Sequence, residues 1–85
     1  MIQNARFLKD KVRSYILQSV HTEPDKIKDD SLIFREGYFD SMGFITLISF
    51  LEEEFKLKTD DADLIEENFE SINAISDFVA RKTEH

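Results

Sequence analysis

Apolar side chains recur every three or four positions in three stretches of this chain, the spacing that lines up one face of an α-helix. In residues 2–20, Ile2, Ala5, Leu8, Val12, Tyr15, Ile16 and Val20 form one stripe, with the basic residues mostly off it. His21-Thr22-Glu23-Pro24-Asp25 ends that pattern, because proline and turn formers do not continue a helix. The second stretch runs from about residue 41 to residue 55. Turned through about 100° per residue, Phe44, Leu47, Ile48, Leu51 and Phe55 fall in one arc, its core face. Ser71 suits the cap of a last helix, in which Ile72, Ile75, Phe78 and Val79 share a face. Between these two, Asp60-Asp61-Ala62-Asp63 starts a short acidic turn of helix, with an aspartate as its cap. No segment shows strand alternation. The pattern predicts an all-α fold, a small four-helix bundle with a long first loop and a short third helix.

The long loop is residues 21–40. A connection of that length inside a compact domain is either functional or held down by its own side chains. Leu32, Ile33, Phe34, Tyr38 and Phe39 are available to hold it. Leu8, Val12, Ile72, Ile75 and Val79 are expected to face the second helix across the core. Phe7, Leu17 and Phe50 fall off their helices' stripes, and Phe50 either covers the long loop or stays at the surface. His21 reads as a polar residue at a helix end.

Eighty-five residues suffice for one domain, 1–85, around one small core. The absence of cysteine removes disulfides, thiolate metal sites and cysteine nucleophiles, and is compatible with the cytoplasm. The longest uncharged stretch, residues 41–51, is too short for a membrane span. The first six residues lack the basic region and apolar segment of a signal peptide. Net charge is −7, and it is uneven: residues 1–20 carry +3 and residues 21–85 carry −10. So acidic a surface repels phosphate backbones, which argues against nucleic acid and favours basic partner surfaces. Asp61, Asp63 and Glu66 invite a calcium-loop reading, but Ile65 stands where a ligand oxygen is needed and no glycine follows it. No metal site is expected, and the acidic run reads as a solvated helix start.

Chemistry concentrates at the head of the second helix. Asp40 stands where it caps that helix, which puts Ser41 in the first turn. Met42, Ile45 and Ser49 lie on the arc beside Ser41, away from the core face. Met42 and Ile45 are therefore apolar residues without an internal role, as at a contact surface. Gly43 costs the helix about 1 kcal/mol relative to alanine and leaves bare backbone open to close approach. Ser41 has no means of acting as a nucleophile. The two histidines are His21, at a helix end, and His85, the last residue, and there is no nucleophile elbow. The hydroxyl makes sense as the substrate of another protein.

Asp40-Ser41-Met42-Gly43, preceded by an aromatic-ended loop and followed by Leu51-Glu52-Glu53-Glu54-Phe55, resembles the acyl carrier proteins. Glu67-Asn68-Phe69-Glu70-Ser71-Ile72 and the spacing of Ala74, Ile75, Phe78 and Val79 are similar to that family's third-helix loop and last helix. The resemblance spans roughly residues 5–82 and implies a bundle of the acyl-carrier type, a non-catalytic monomer. It implies that a phosphopantetheinyl transferase attaches phosphopantetheine from coenzyme A to Ser41, with Asp40 supporting attachment. The arm's thiol would hold an acyl or aminoacyl group as a thioester. An adenylate-forming ligase or a synthase would load it, and acyl-accepting enzymes would take it up. Met42, Ile45, Ser49, Glu52 and Glu53 would face those partners, the glutamates steering basic enzymes. Ser14, Ser19, Ser31, Ser49, Ser71 and Ser76 lack the combination of a preceding aspartate and a helix start.

One departure narrows the cargo. Fatty-acid-type carriers usually have acidic residues just after this motif and a turn later, where this chain has Gly43 and Thr46. The pattern is closer to aminoacyl and peptidyl carriers, the D-alanyl type included, and to freestanding carriers of specialised biosynthesis. The rival reading is an acidic helical adaptor that grips a partner through Met42 and Ile45 and carries no prosthetic group.

Overall fold

Helices α1 (Ala5–Ser19) and α2 (Ser41–Phe55) form where the periodicity places them, a short α3 (Glu66–Phe69) follows the acidic run, and α4 (Ile72–Thr83) again matches its stripe. Single 3₁₀ turns lie at Pro24–Lys26 and Asp61–Asp63, and no strand occurs among the described residues. The computed structural model describes residues 5–20 and 22–83; Ile2, His21 and His85 lie outside them. Packing converges on α4, which meets α1, α2 and α3.

Helices α1, α2 and α4 each bury most of the stripe their sequence carries. Leu8, Val12, Ile16 and Val20 of α1 and its C-terminal end are buried against Leu47, Leu51 and Phe55 of α2 and Ile72, Ile75, Phe78 and Val79 of α4. Burying one such side chain is worth about 1.5–3 kcal/mol, so these stripes dominate the stability. Three core residues escaped the periodicity: Ile27, Leu57 and Phe69. Phe69 is fully buried and links two neighbours edge-on, with ring centroids 5.4 Å from Phe44 and 4.8 Å from Phe78. Phe44 and Ile48, expected in the core, sit half-buried at its edge. Phe50 stacks on Tyr15 of α1, with centroids 4.0 Å apart and planes inclined by 12°, so its off-stripe ring packs one helix on the next.

The long loop is strapped to the bundle, as its apolar residues suggest. Ile33 and Phe39 are buried, and Phe34 and Tyr38 pack half-buried against the core. The Arg13 guanidinium donates to Asp29 Oδ1 from Nη2 and Nε, at 2.6 and 3.1 Å. That pair raises the Arg13 pKa above its ordinary value. The Asn73 N–H donates to the Asp29 carbonyl at 3.0 Å, and the Ile33 N–H to the Glu70 carbonyl at 2.9 Å. Loop and α4 are thus fixed to each other before α2 begins.

The acidic run after α2 is the short, largely solvated helix start read from sequence, a 3₁₀ turn at Asp61–Asp63 headed by Asp60, but Asp63 is also tied into the fold. Helix α2 ends at Lys56 in the left-handed region, φ 57° and ψ 43°, and the next residue, Leu57, folds back into the core, a common helix ending. Glu52 accepts from both the N–H and the hydroxyl of Thr59, at 3.1 and 2.8 Å. Asp63 accepts from the Asp60 N–H at 2.9 Å and from the Lys82 ammonium of α4 at 2.8 Å. The aspartates tie the connection down to the last helix.

Candidate functional site

Helix α2 begins abruptly because Asp40 caps it. Asp40 is extended, φ −115° and ψ −167°, and its Oδ1 accepts the Gly43 N–H at 2.9 Å. Its carbonyl accepts the Phe44 N–H at 2.9 Å, the first bond of the helical ladder. Ser41 is the first helical residue, and it is exposed. Its position at a helix N-terminus is one where free N–H groups and the helix dipole favour an anion such as a phosphodiester.

Gly43 has an internal reason. A Cβ there would lie 2.8 Å from Phe39 Cδ2, so the close approach its bare backbone permits is made by the protein's own buried ring. The close approach expected at this bare backbone thus comes from within the protein.

Ser41 lies on the rim of an open groove of about 600 Å³ lined by Phe34, Arg35, Asp40, Phe44, Ile45, Leu64 and Glu66. Three separate segments build it: the end of the long loop, the start of α2, and the connection into α3. Met42 and Ile45 are exposed to 70% and 59%, and Leu64 and Ile65 to 41% and 48%. Sequence reasoning found the first pair and missed the second. The available signal was an apolar Leu64-Ile65 pair set between acidic residues, with no place on any helical stripe. Arg35 was missed as well, and Glu66 entered only the calcium-loop reading; their side chains approach to 3.9 Å.

Of the other partner-facing candidates, Ser49 and Glu53 are exposed on α2. Glu52 is not fully at liberty: its Thr59 bonds hold its carboxyl below the usual glutamate pKa, as an anion committed to the fold. The Asp60 N–H and then Lys82 likewise hold Asp63 below the usual aspartate value, and Asp63 raises Lys82 in return. No group of His, Asp and Glu suited to a metal occurs among the described residues.

Another serine follows an aspartate. Asp30-Ser31-Leu32 repeats the pattern on paper, but no helix follows it. The Ser31 hydroxyl accepts the Lys28 N–H at 2.8 Å and closes a turn. Ser71 is a buried cap whose Oγ accepts the Ala74 N–H at 3.1 Å, and Ser76 is buried too. Only at Ser41 do aspartate, serine and helix start coincide.

Residues 10–79 match the protein family described as the phosphopantetheine attachment site. The chain belongs to this family. A carrier named acyl carrier protein, from Bdellovibrio bacteriovorus, is 26% identical over 72 residues, which is 85% of this chain and 90% of that protein. The chain is therefore a phosphopantetheine-bearing carrier, not an enzyme, and its partners include a phosphopantetheinyl transferase and acyl-handling enzymes. A prosthetic-group-free adaptor does not fit that membership. No helix among the described residues is long and apolar enough to cross a membrane.

Proposed function

We propose that Ser41 is the residue to which the carrier's phosphopantetheine is attached. The observation that carries this reading is the exposed hydroxyl in the first turn of α2, directly after the capping Asp40 and on the rim of the groove. When bound, the group supplies a thiol for thioester formation, chemistry that a cysteine-free chain lacks. The chain's own residues do the rest. Asp40 holds the helix start in register, and Phe44, Ile45 and Leu64 provide an apolar wall beside the attachment point.

The carrier serves a specialised pathway under this reading, in the cytoplasm and as a monomer, with an acyl or aminoacyl cargo loaded by an adenylate-forming ligase or a synthase. Support comes from the surface next to Ser41, where Gly43 and Thr46 replace the acidic residues usual in fatty-acid-type carriers. Thr46 turns its hydroxyl back to the Met42 carbonyl at 2.9 Å, so this end of α2 presents Met42 and Ile45 rather than charge. Met42, Ile45, Ser49 and Glu53 form the partner-facing surface, with Glu52 contributing field from its fixed position. The test is intact mass after incubation with coenzyme A and a broad-specificity phosphopantetheinyl transferase. Wild type gains one arm and Ser41→Ala gains none; an arm on folded Ser41→Ala overturns the assignment.

A further inference from the structure

Arg35 is the one cationic side chain among the described residues lining the groove beside Ser41. Its backbone is held firmly. Arg35 lies in a turn in which the Glu36 N–H donates to the Leu32 carbonyl at 2.8 Å, and the Tyr38 and Phe39 N–H groups donate to the Ile33 carbonyl at 2.9 and 3.1 Å. Gly37 completes the turn with φ 86°, a conformation that favours glycine, and Ile33 anchors it in the core. The side chain, by contrast, is weakly committed. It is 75% exposed, and its carboxylate neighbour Glu66 stands 3.9 Å from Nε, beyond hydrogen-bonding distance.

The groove also holds two carboxylates, Asp40 and Glu66. A phosphodiester on Ser41 adds a third negative charge, and like charges brought this close repel unless a cation intervenes. A guanidinium is suited to that task, because its planar fork pairs with two phosphate oxygens at once. The pantoyl unit that follows the phosphate carries two methyl groups, which suit the apolar wall of Phe44, Ile45 and Leu64. We propose that Arg35 is the positioning residue for the arm's phosphodiester: it leaves Glu66, pairs with the phosphate and lays the arm's first segment along the groove. This rests on Ser41 being the attachment residue.

The test uses holo and apo protein, with phosphorus NMR of the phosphodiester and nitrogen-detected NMR of the Arg35 Nε–H. In wild type the Nε–H resonance moves when the arm is attached. In holo Arg35→Gln the phosphorus resonance shifts from its wild-type position, and Arg35→Lys, which keeps the charge but not the fork, recovers part of the difference. Salt at about 1 M, where the screening length is ~3 Å, shrinks the wild-type effect. Lys9→Gln, half-buried on α1 and outside the groove, leaves the phosphorus resonance unmoved. If mass confirms the arm on Ser41 but the phosphorus resonance is the same in wild type and Arg35→Gln, the Arg35 role is overturned and the Ser41 assignment stands. If folded Ser41→Ala still gains the arm, both fall together.

Discussion

At Gly43 the Phe39 ring lies across the helix backbone, and a Cβ there would meet Phe39 Cδ2 at 2.8 Å. Alanine normally favours a helix over glycine by about 1 kcal/mol. Phe39 is buried and in edge contact with Phe34 at 5.8 Å, so it has little room to yield. Overpacking of this kind costs about 1–3 kcal/mol. Gly43→Ala should therefore lower the melting temperature, and a rise would show that the ring moves aside freely. Asp40 caps α2, and under the proposed function it also supports arm attachment. Asp40→Ala removes the bond to the Gly43 N–H and should cost about 0.5–2 kcal/mol of stability. It should slow arm attachment by more than that loss explains. Attachment at the wild-type rate by a destabilised variant would reduce Asp40 to a helix cap.

At the scale of elements, the short connections owe their order to charged groups. Glu52 and Asp63 both have lowered pKa values, so the unfolded chain binds their protons more readily than the folded one. Their contribution to stability is present above their ordinary values of 4.5 and 3.8 and disappears as pH falls through the lower folded values. Lys82 is raised from 10.5, so its contribution is complete below that pH and is lost as pH rises through the folded value. Melting temperatures measured from neutrality into acid should hold level and then fall below the ordinary carboxylate values. Asp63→Asn should flatten part of that fall, and an unchanged acid slope would mean that the Asp63 contacts with the Asp60 N–H and Lys82 do not persist in solution. Helices α1, α2 and α4 were legible because one continuous stripe buries one face. The core role of Phe69 and Leu57 was not, since a four-residue helix and the residue after a left-handed helix end have no period to read. For the same reason the exposed positions of Asp40, Ser41, Met42 and Ile45 at the head of α2 could be read from that helix alone. Arg35, Leu64 and Glu66 reach the groove from other segments, and only the tertiary fold brings them together.

Across the whole molecule, a net charge of −7 gives a diffuse attraction to basic surfaces, while Met42 and Ile45 near Ser41 are exposed and apolar. The two contributions separate experimentally. Met42→Ala and Ile45→Ala alter exposed side chains and should change stability by no more than about 0.5 kcal/mol. At the centre of an interface the same truncations cost about 1–2 kcal/mol or more, so loading of the thiol by the cognate enzyme should fall severalfold. Added salt should slow loading only partly, because screening weakens the field of the glutamates and leaves the apolar contact intact. Normal loading of both variants would place the recognition surface elsewhere. Which serine is modified decides the proposed function, since Asp30-Ser31 and Asp40-Ser41 are both aspartate–serine pairs and only the second heads a helix. The most direct measurement is peptide mapping by mass spectrometry of the wild-type carrier after arm attachment. The whole phosphopantetheine mass is expected on the fragment ions that contain Ser41 and none on those that contain Ser31; an arm localised to Ser31, or to any serine other than Ser41, would contradict the Ser41 assignment.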